Sequence, residues 1–205
     1  MTLRTAIVGQ FRRPHGWLGR LAGWVMRHRP SNRQRNRWTV KLLDLRPGNR
    51  VLELGCGPGV AIAACLERVG HGEVVGIDHS ATMIAQAGTR LARAIETGRV
   101  QLHIGGPAEL AALGGGFDKA FLVNVVQFLT DLDAAYSTLF DALAPGGIVA
   151  TTYQPRHKNP TRADAMGMAE RVEAAMRRVG FEGLRTEELP LKPISAVCVL
   201  GAKSH

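Results

Sequence analysis

Two carboxylates, Glu53 and Asp78, stand at the ends of strand-like runs, where side chains are placed to meet a ligand. The stretch VLELGCGPGV (51–60) holds Glu53 in a strand end and Gly55, Gly57 and Gly59 in the turn behind it, with Cys56 between the first two. A turn that glycine-rich lets a ligand approach the backbone closely. A phosphate-cradling P-loop needs a lysine and a hydroxyl residue after the last glycine, and no lysine follows Gly59. A dinucleotide fingerprint would set glycine or alanine at position 60, which is Val60. Pyrophosphate also wants free N–H groups and a helix dipole, and a carboxylate beside it would repel it. Pro58 removes one N–H from the turn.

Glu53 instead suits a ligand with positive charge. Asp78, 19 residues beyond Gly59, ends the second strand and can accept both hydroxyls of a ribose. A nucleoside at one end and a cationic group without phosphates at the other describe S-adenosylmethionine.

The elements that must position these residues alternate along the chain. Strands are expected at residues 50–54, 73–77, 99–104, 117–123, 145–153, 183–189 and 194–200. Helices are expected at 60–69, 80–97, 131–143, where Asp131 can cap, and 161–179. A turn around residues 190–193, with no helix, joins the last two strands, so the final strand should run reversed. The fold class is α/β: a three-layer sandwich on a mostly parallel sheet with one antiparallel strand.

Composition narrows the setting. Apolar residues make up 45% of 205, enough for one full core. Cys56, Cys65 and Cys198 are widely spaced and odd in number, which suits free thiols in the cytoplasm and no metal cluster. No apolar run approaches the roughly 20 residues of a membrane span, and the stretch before Arg12 is too short for a signal peptide. Residues 1–45 carry ten Lys/Arg and one acid, Asp44, so the whole net charge of +9 belongs to them. Those residues are expected to form a basic helical cap ahead of a domain at 46–205. Trp17, Leu18, Leu21, Trp24 and Val25 share one helical face there, and Ser31 can cap a second helix running through Trp38 to Leu43. The positive field points to an anionic partner or to a solvated helix face.

From about Arg37 to Lys203 the chain resembles the class I S-adenosylmethionine-dependent methyltransferase family. VLELGCGPG, VVGIDHS with Met83, FDKAFLVNVVQFL and LAPGGIVATTY fall in the family's order. The resemblance implies a Rossmann-like seven-stranded sheet with S-adenosyl-L-methionine as cofactor. It implies a loop of Gly55, Cys56, Gly57 and Gly59 against the methionine part, with Glu53 supporting the loop or the amino group. Asp78 would take the ribose, and His79 and Met83 would flank adenine. Asn124 and Val125, with Gln127, would lie by the methionine moiety. Where the family often has Gly-Asp-Ala after the third strand, this chain reads HIGGPAEL, so adenine would meet Gly106, Ala108 or Glu109.

Methyl transfer needs an acceptor in line with the S–CH₃ bond, and an oxygen acceptor usually needs a base. The candidates are His15 and His28 in the N-terminal segment, which in this family often folds as a lid, and Tyr153 and His157 after the fifth strand. NVVQ stands where amino methyltransferases carry Asn/Asp-Pro-Pro-Tyr. The expected activity is methylation of a small-molecule acceptor, anionic or aromatic, at a hydroxyl. A phospholipid-headgroup or quinone methyltransferase touching a membrane surface is the alternative. An RNA-binding protein on the same fold ranks below both, and a nucleic-acid partner is not expected.

Overall fold

The strand-like segments, apolar on both sides at the centre, form one seven-stranded sheet, and amphipathic helices cover both of its faces. The computed structural model describes residues 30–205. In chain order the elements are α1 (Pro30–Leu42), β1 (Val51–Leu54), α2 (Val60–Leu66), β2 (Val74–Asp78), α3 (Ala81–Glu96), β3 (Val100–Ile104), β4 (Phe117–Val123), α4 (Leu132–Ala142), β5 (Leu143–Tyr153), α5 (Arg162–Val179), β6 (Glu182–Leu189) and β7 (Ala196–Ala202). Short 3₁₀ turns at Pro107–Leu113 and Val126–Phe128 follow β3 and β4.

Strand order is β3-β2-β1-β4-β5-β7-β6. All pairs are parallel except those of β7, which is antiparallel to both neighbours, as the helix-free turn before it requires. From β1 the chain builds outward to β3 and then returns to β4 on the other side. Loops from β1 and β4 therefore diverge and leave a crevice at the carboxyl edge.

Leu52, Leu54, Val75, Ile77 and Leu122 face α4 and α5, while Val51, Val74 and Phe121 face α1, α2 and α3. This alternation decides which polar residues at the strand ends share a surface. Helix ends follow local chemistry: Asp131 Oδ1 accepts the Ala134 N–H, and Ser80 Oγ accepts that of Met83.

Three expectations shift. Ser31 is not a cap, because α1 already begins at Pro30; its Oγ accepts instead from Arg156 Nη2 at 3.3 Å. Helix α2 stops at Leu66. Strand β5 begins at Leu143, so the Pro-Gly-Gly turn becomes an irregularity inside it, opposite Phe117 and Lys119. Among the described residues no helix is long and apolar enough to cross a membrane.

Candidate cofactor and acceptor site

The three glycines of the turn all adopt positive φ, and each does a different job. A Cβ on Gly55 would lie 2.3 Å from Val125 Cγ2, so the residue after Asn124 packs onto bare backbone there. A Cβ on Gly59 would lie 2.9 Å from Leu91 Cδ1, where α3 crosses the start of α2. A Cβ on Gly57 would meet nothing within 4 Å. Gly57 is thus where the turn lies open, while Gly55 and Gly59 let neighbouring elements close in. Cys56 points the other way: its side chain is buried against Gly76 of β2, its N–H donates to Ile77 O, and its thiol is held above the usual range by burial and then by Glu53. It shapes the turn from beneath.

Glu53 is 3% exposed and lies under the first turn of α2. Burial, and after it the charge of Asp78, holds its carboxyl well above the ordinary range, against the pull of a hydrogen bond from the Ile62 backbone. Its Oε2 is buried and has no hydrogen-bond partner. Asp78 ties two loops together: Oδ2 accepts the Gly57 N–H at 2.8 Å and Oδ1 accepts the Ser80 N–H at 2.9 Å. Each oxygen keeps a second lone pair for another donor.

Beyond Asp78, the half-exposed His79 sets its Nδ1 3.6 Å from Asp78 Oδ1, and Met83 is buried in the first turn of α3. Glu109 is spent on its own turn, where Oε2 accepts the Gly106 N–H at 2.7 Å, and Ala108 is exposed beside it. Ile104, in register with Asp78 at the end of β3, is 60% exposed. An exposed large aliphatic at a strand end can cover a planar ring. Sequence reading passed it over because an isoleucine closing a strand looks like core.

Asn124 follows β4 at φ 55, a left-handed conformation that asparagine tolerates better than most residues. Its amide pairs with the backbone of Gln154 after β5. Its own carbonyl accepts from Gln127 Nε2 at 2.7 Å, which leaves Gln127 Oε1 buried without a partner.

Gln154 is wholly buried and was not foreseen. Its Oε1 accepts from Arg35 Nη1 of α1 at 2.6 Å and from Arg156 Nη2 at 2.8 Å, and its Nε2 donates to Ile194 O. Beside it, the hydroxyls of Thr39 and Thr152 lie 2.6 Å apart. Helix α1 is therefore fastened to the end of β5 through polar contacts. Arg33, Arg37 and Lys41 face solvent on its outer side, and only Arg35 turns inward.

The proposed bases divide. Tyr153 lies on the opposite sheet face, packed with the α4 and α5 cluster, and burial followed by Asp164 raises its phenol. His157 is half-exposed, with Nε2 3.4 Å from Asp164 Oδ2 in the cap of α5. His15 and His28, like Trp17 and Trp24, lie outside the described residues. Among the described residues no group of His, Cys, Asp and Glu could hold a metal ion.

The fit of a cofactor can be judged from these atoms. Gly57 offers open backbone, Asp78 has acceptor capacity beside it, and Glu53 Oε2 and Gln127 Oε1 are unsatisfied acceptors at the ends of β1 and β4. A ribose with a cationic tail matches that set, and a diphosphate does not.

Such a crevice on such a sheet defines a Rossmann-like nucleoside-binding enzyme. The chain belongs to the class I S-adenosylmethionine-dependent methyltransferase family, and S-adenosyl-L-methionine is its cofactor. Residues 51–147 match the family described as "Methyltransferase domain". The chain is 30% identical over 184 residues to "Uncharacterized methyltransferase YdaC" of Bacillus subtilis, spanning 89% of this chain and 98% of that protein. It is 31% identical over 142 residues to a trans-aconitate 2-methyltransferase of Variovorax paradoxus, spanning 69% of this chain and 52% of that one. The fold resembles that of Haemonchus contortus phosphoethanolamine N-methyltransferase 2 in complex with S-adenosyl-L-methionine, with a TM-score of 0.65 at 18% identity, covering 84% of this chain and 53% of the other. Apart from YdaC, the chain thus spans about half the length of these proteins.

Proposed function

We propose that the protein transfers the methyl group of S-adenosylmethionine to a hydroxyl of a small-molecule acceptor lying between the glycine turn and α1. The observation that carries this reading is the open face at Gly57, with Asp78 on one side and the unsatisfied acceptors of Glu53 and Gln127 on the other. When bound, the cofactor supplies an activated methyl on a sulfonium.

The chain's own residues would do the rest. Asp78 would accept the ribose hydroxyls with its remaining lone pairs, and His79, Met83 and Ile104 would border the adenine. Gly106 and Ala108 would complete that border through the backbone. Glu53 and Gln127 would meet the cationic end, which favours an ionised Glu53 once the charge arrives. Gly55 and Val125 hold the turn against the β4 loop, and α1 covers the acceptor side and limits water. Tyr153 remains protonated at neutral pH and serves no base role in this reading. His15 and His28, the other candidate bases, lie outside the described residues. A small acceptor agrees with the printed names of relatives, trans-aconitate 2-methyltransferase and nocamycin O-methyltransferase.

Calorimetry with S-adenosylhomocysteine tests the site. Wild-type protein should bind it, and Asp78→Ala should weaken binding at least about ten-fold, or 1.4 kcal/mol. Affinity unchanged in Asp78→Ala would discard the proposed ribose contact, and binding of NADH in place of S-adenosylhomocysteine would discard the proposed reaction.

A further inference from the structure

Arg35 is a buried charge without a counter-charge. It is 3% exposed, no carboxylate among the described residues pairs with it, and residues 1–29 contain no Asp or Glu. Its Nη1 and Nη2 donate to neutral oxygens, Gln154 Oε1 and Asn32 Oδ1, both at 2.6 Å. Its Nε is buried with no partner at all. Arg156 then brings a second guanidinium onto the same Gln154 oxygen. Burying the Arg35 charge against neutral amide oxygens alone is a costly way to fasten a helix, since buried charge is retained cheaply only when paired. Burial, with Arg156 adding to it, pushes the Arg35 pKa down to about 9, so the group is still cationic at neutral pH.

The place of this pair matters as much as its charge. Gln154 follows β5 on the sheet face covered by α1, and Asn124, at the end of β4, clamps its backbone. The next residue, Val125, rests on Gly55 of the cofactor turn. The guanidiniums therefore border the carboxyl-edge crevice on the side away from Asp78.

We infer that Arg35 and Arg156 form the seat of a carboxylate group on the methyl acceptor. The inference rests on the methyltransferase reading and narrows its acceptor to an organic acid. A planar carboxylate suits a guanidinium whose Nε–H is unspent beside Nη donors shared with neutral amides, because its two oxygens match the parallel N–H groups of the fork. Binding supplies the missing counter-charge and anchors the acceptor, leaving its nucleophilic oxygen to be set by the rest of the pocket.

The test uses the full chain saturated with S-adenosylhomocysteine at neutral pH. Malonate, succinate, tricarballylate and inorganic phosphate are each titrated against chloride at matched ionic strength, with melting temperature and calorimetry as readouts. At least one of the acids should stabilise saturably above chloride, and Arg156→Gln and Arg35→Lys should each weaken that binding ten-fold or more while S-adenosylhomocysteine affinity stays within two-fold. Arg156 is exposed, so Arg156→Gln keeps the test valid if Arg35→Lys does not fold. No response to any acid, a response that survives in the folded variants, or a response to phosphate alone overturns the inference. Failure to bind S-adenosylhomocysteine itself strikes the reading beneath it instead.

Discussion

The side-chain amide of Asn124 grips both backbone polar groups of Gln154: Nδ2 donates to its carbonyl at 3.2 Å, and Oδ1 accepts its N–H at 2.8 Å. The pair locks the β4 and β5 ends at the height where the acceptor is proposed to lie. Asn124→Gly keeps the left-handed backbone and removes the clamp, and should cost about 2 kcal/mol for two lost hydrogen bonds. Asn124→Ala adds about 1–2 kcal/mol of backbone strain. Urea unfolding of both variants checks the order; an Asn124→Gly protein as stable as wild type would mean that φ and not the clamp selects asparagine.

Gly55 and Gly57 share the same backbone region yet should fail differently. Gly55→Ala drives a methyl into Val125, so its damage should appear in unfolding free energy beyond the roughly 1–2 kcal/mol of left-handed strain, and Val125→Ala should recover part of it. Gly57→Ala meets no protein atom, so its damage beyond that strain should appear in S-adenosylhomocysteine affinity, by about ten-fold or more. Denaturation and calorimetry on the three variants separate the two outcomes.

Glu53 makes stability fall with pH. Its folded pKa lies above the ordinary carboxyl value, so across that interval the folded state binds more proton than the unfolded chain. Stability is therefore greatest below the unfolded pKa and declines as pH rises towards the folded one. Glu53→Gln keeps an oxygen for the Ile62 N–H and removes the titration. It should melt higher than wild type at pH 8, with the difference shrinking towards pH 4, and should bind S-adenosylmethionine more weakly. Parallel melting curves for the two proteins across pH 4–8 would show that Glu53 does not carry the effect.

Tyr153 and His157 should prove dispensable for proton removal. The tyrosine is held protonated on the far sheet face, and the histidine is engaged with Asp164 and the Lys158 carbonyl. Tyr153→Phe and His157→Ala should each leave turnover within about two-fold, since loss of a true base costs about 100-fold or more. A loss of that size, with the pH–rate profile shifted, would reinstate the affected residue.

Much of the cofactor side was legible before any fold was known. The glycine spacing, the strand-end positions of Glu53 and Asp78, and the reversal of β7 each follow from contiguous residues whose backbone demands are local. Elements with strong period-two or helical patterning fell where expected. The ends that moved were those where pairing overrides local signals: Leu143 is drawn into β5 by Phe117 across the sheet, and α1 starts at Pro30 ahead of its apparent cap.

The sequence by itself determined what kind of ligand the first turn can hold, because charge and glycine placement there act over a few residues. Only the tertiary structure decided which of the four basic residues described on α1, Arg33, Arg35, Arg37 and Lys41, turns inward. Arg35 meets Gln154 across 119 positions, and Gln154 is reached only because β4, β5 and α1 end side by side. Such contacts join residues whose separation along the chain carries no periodic signal, so packing alone brings a buried cation to the edge of the crevice.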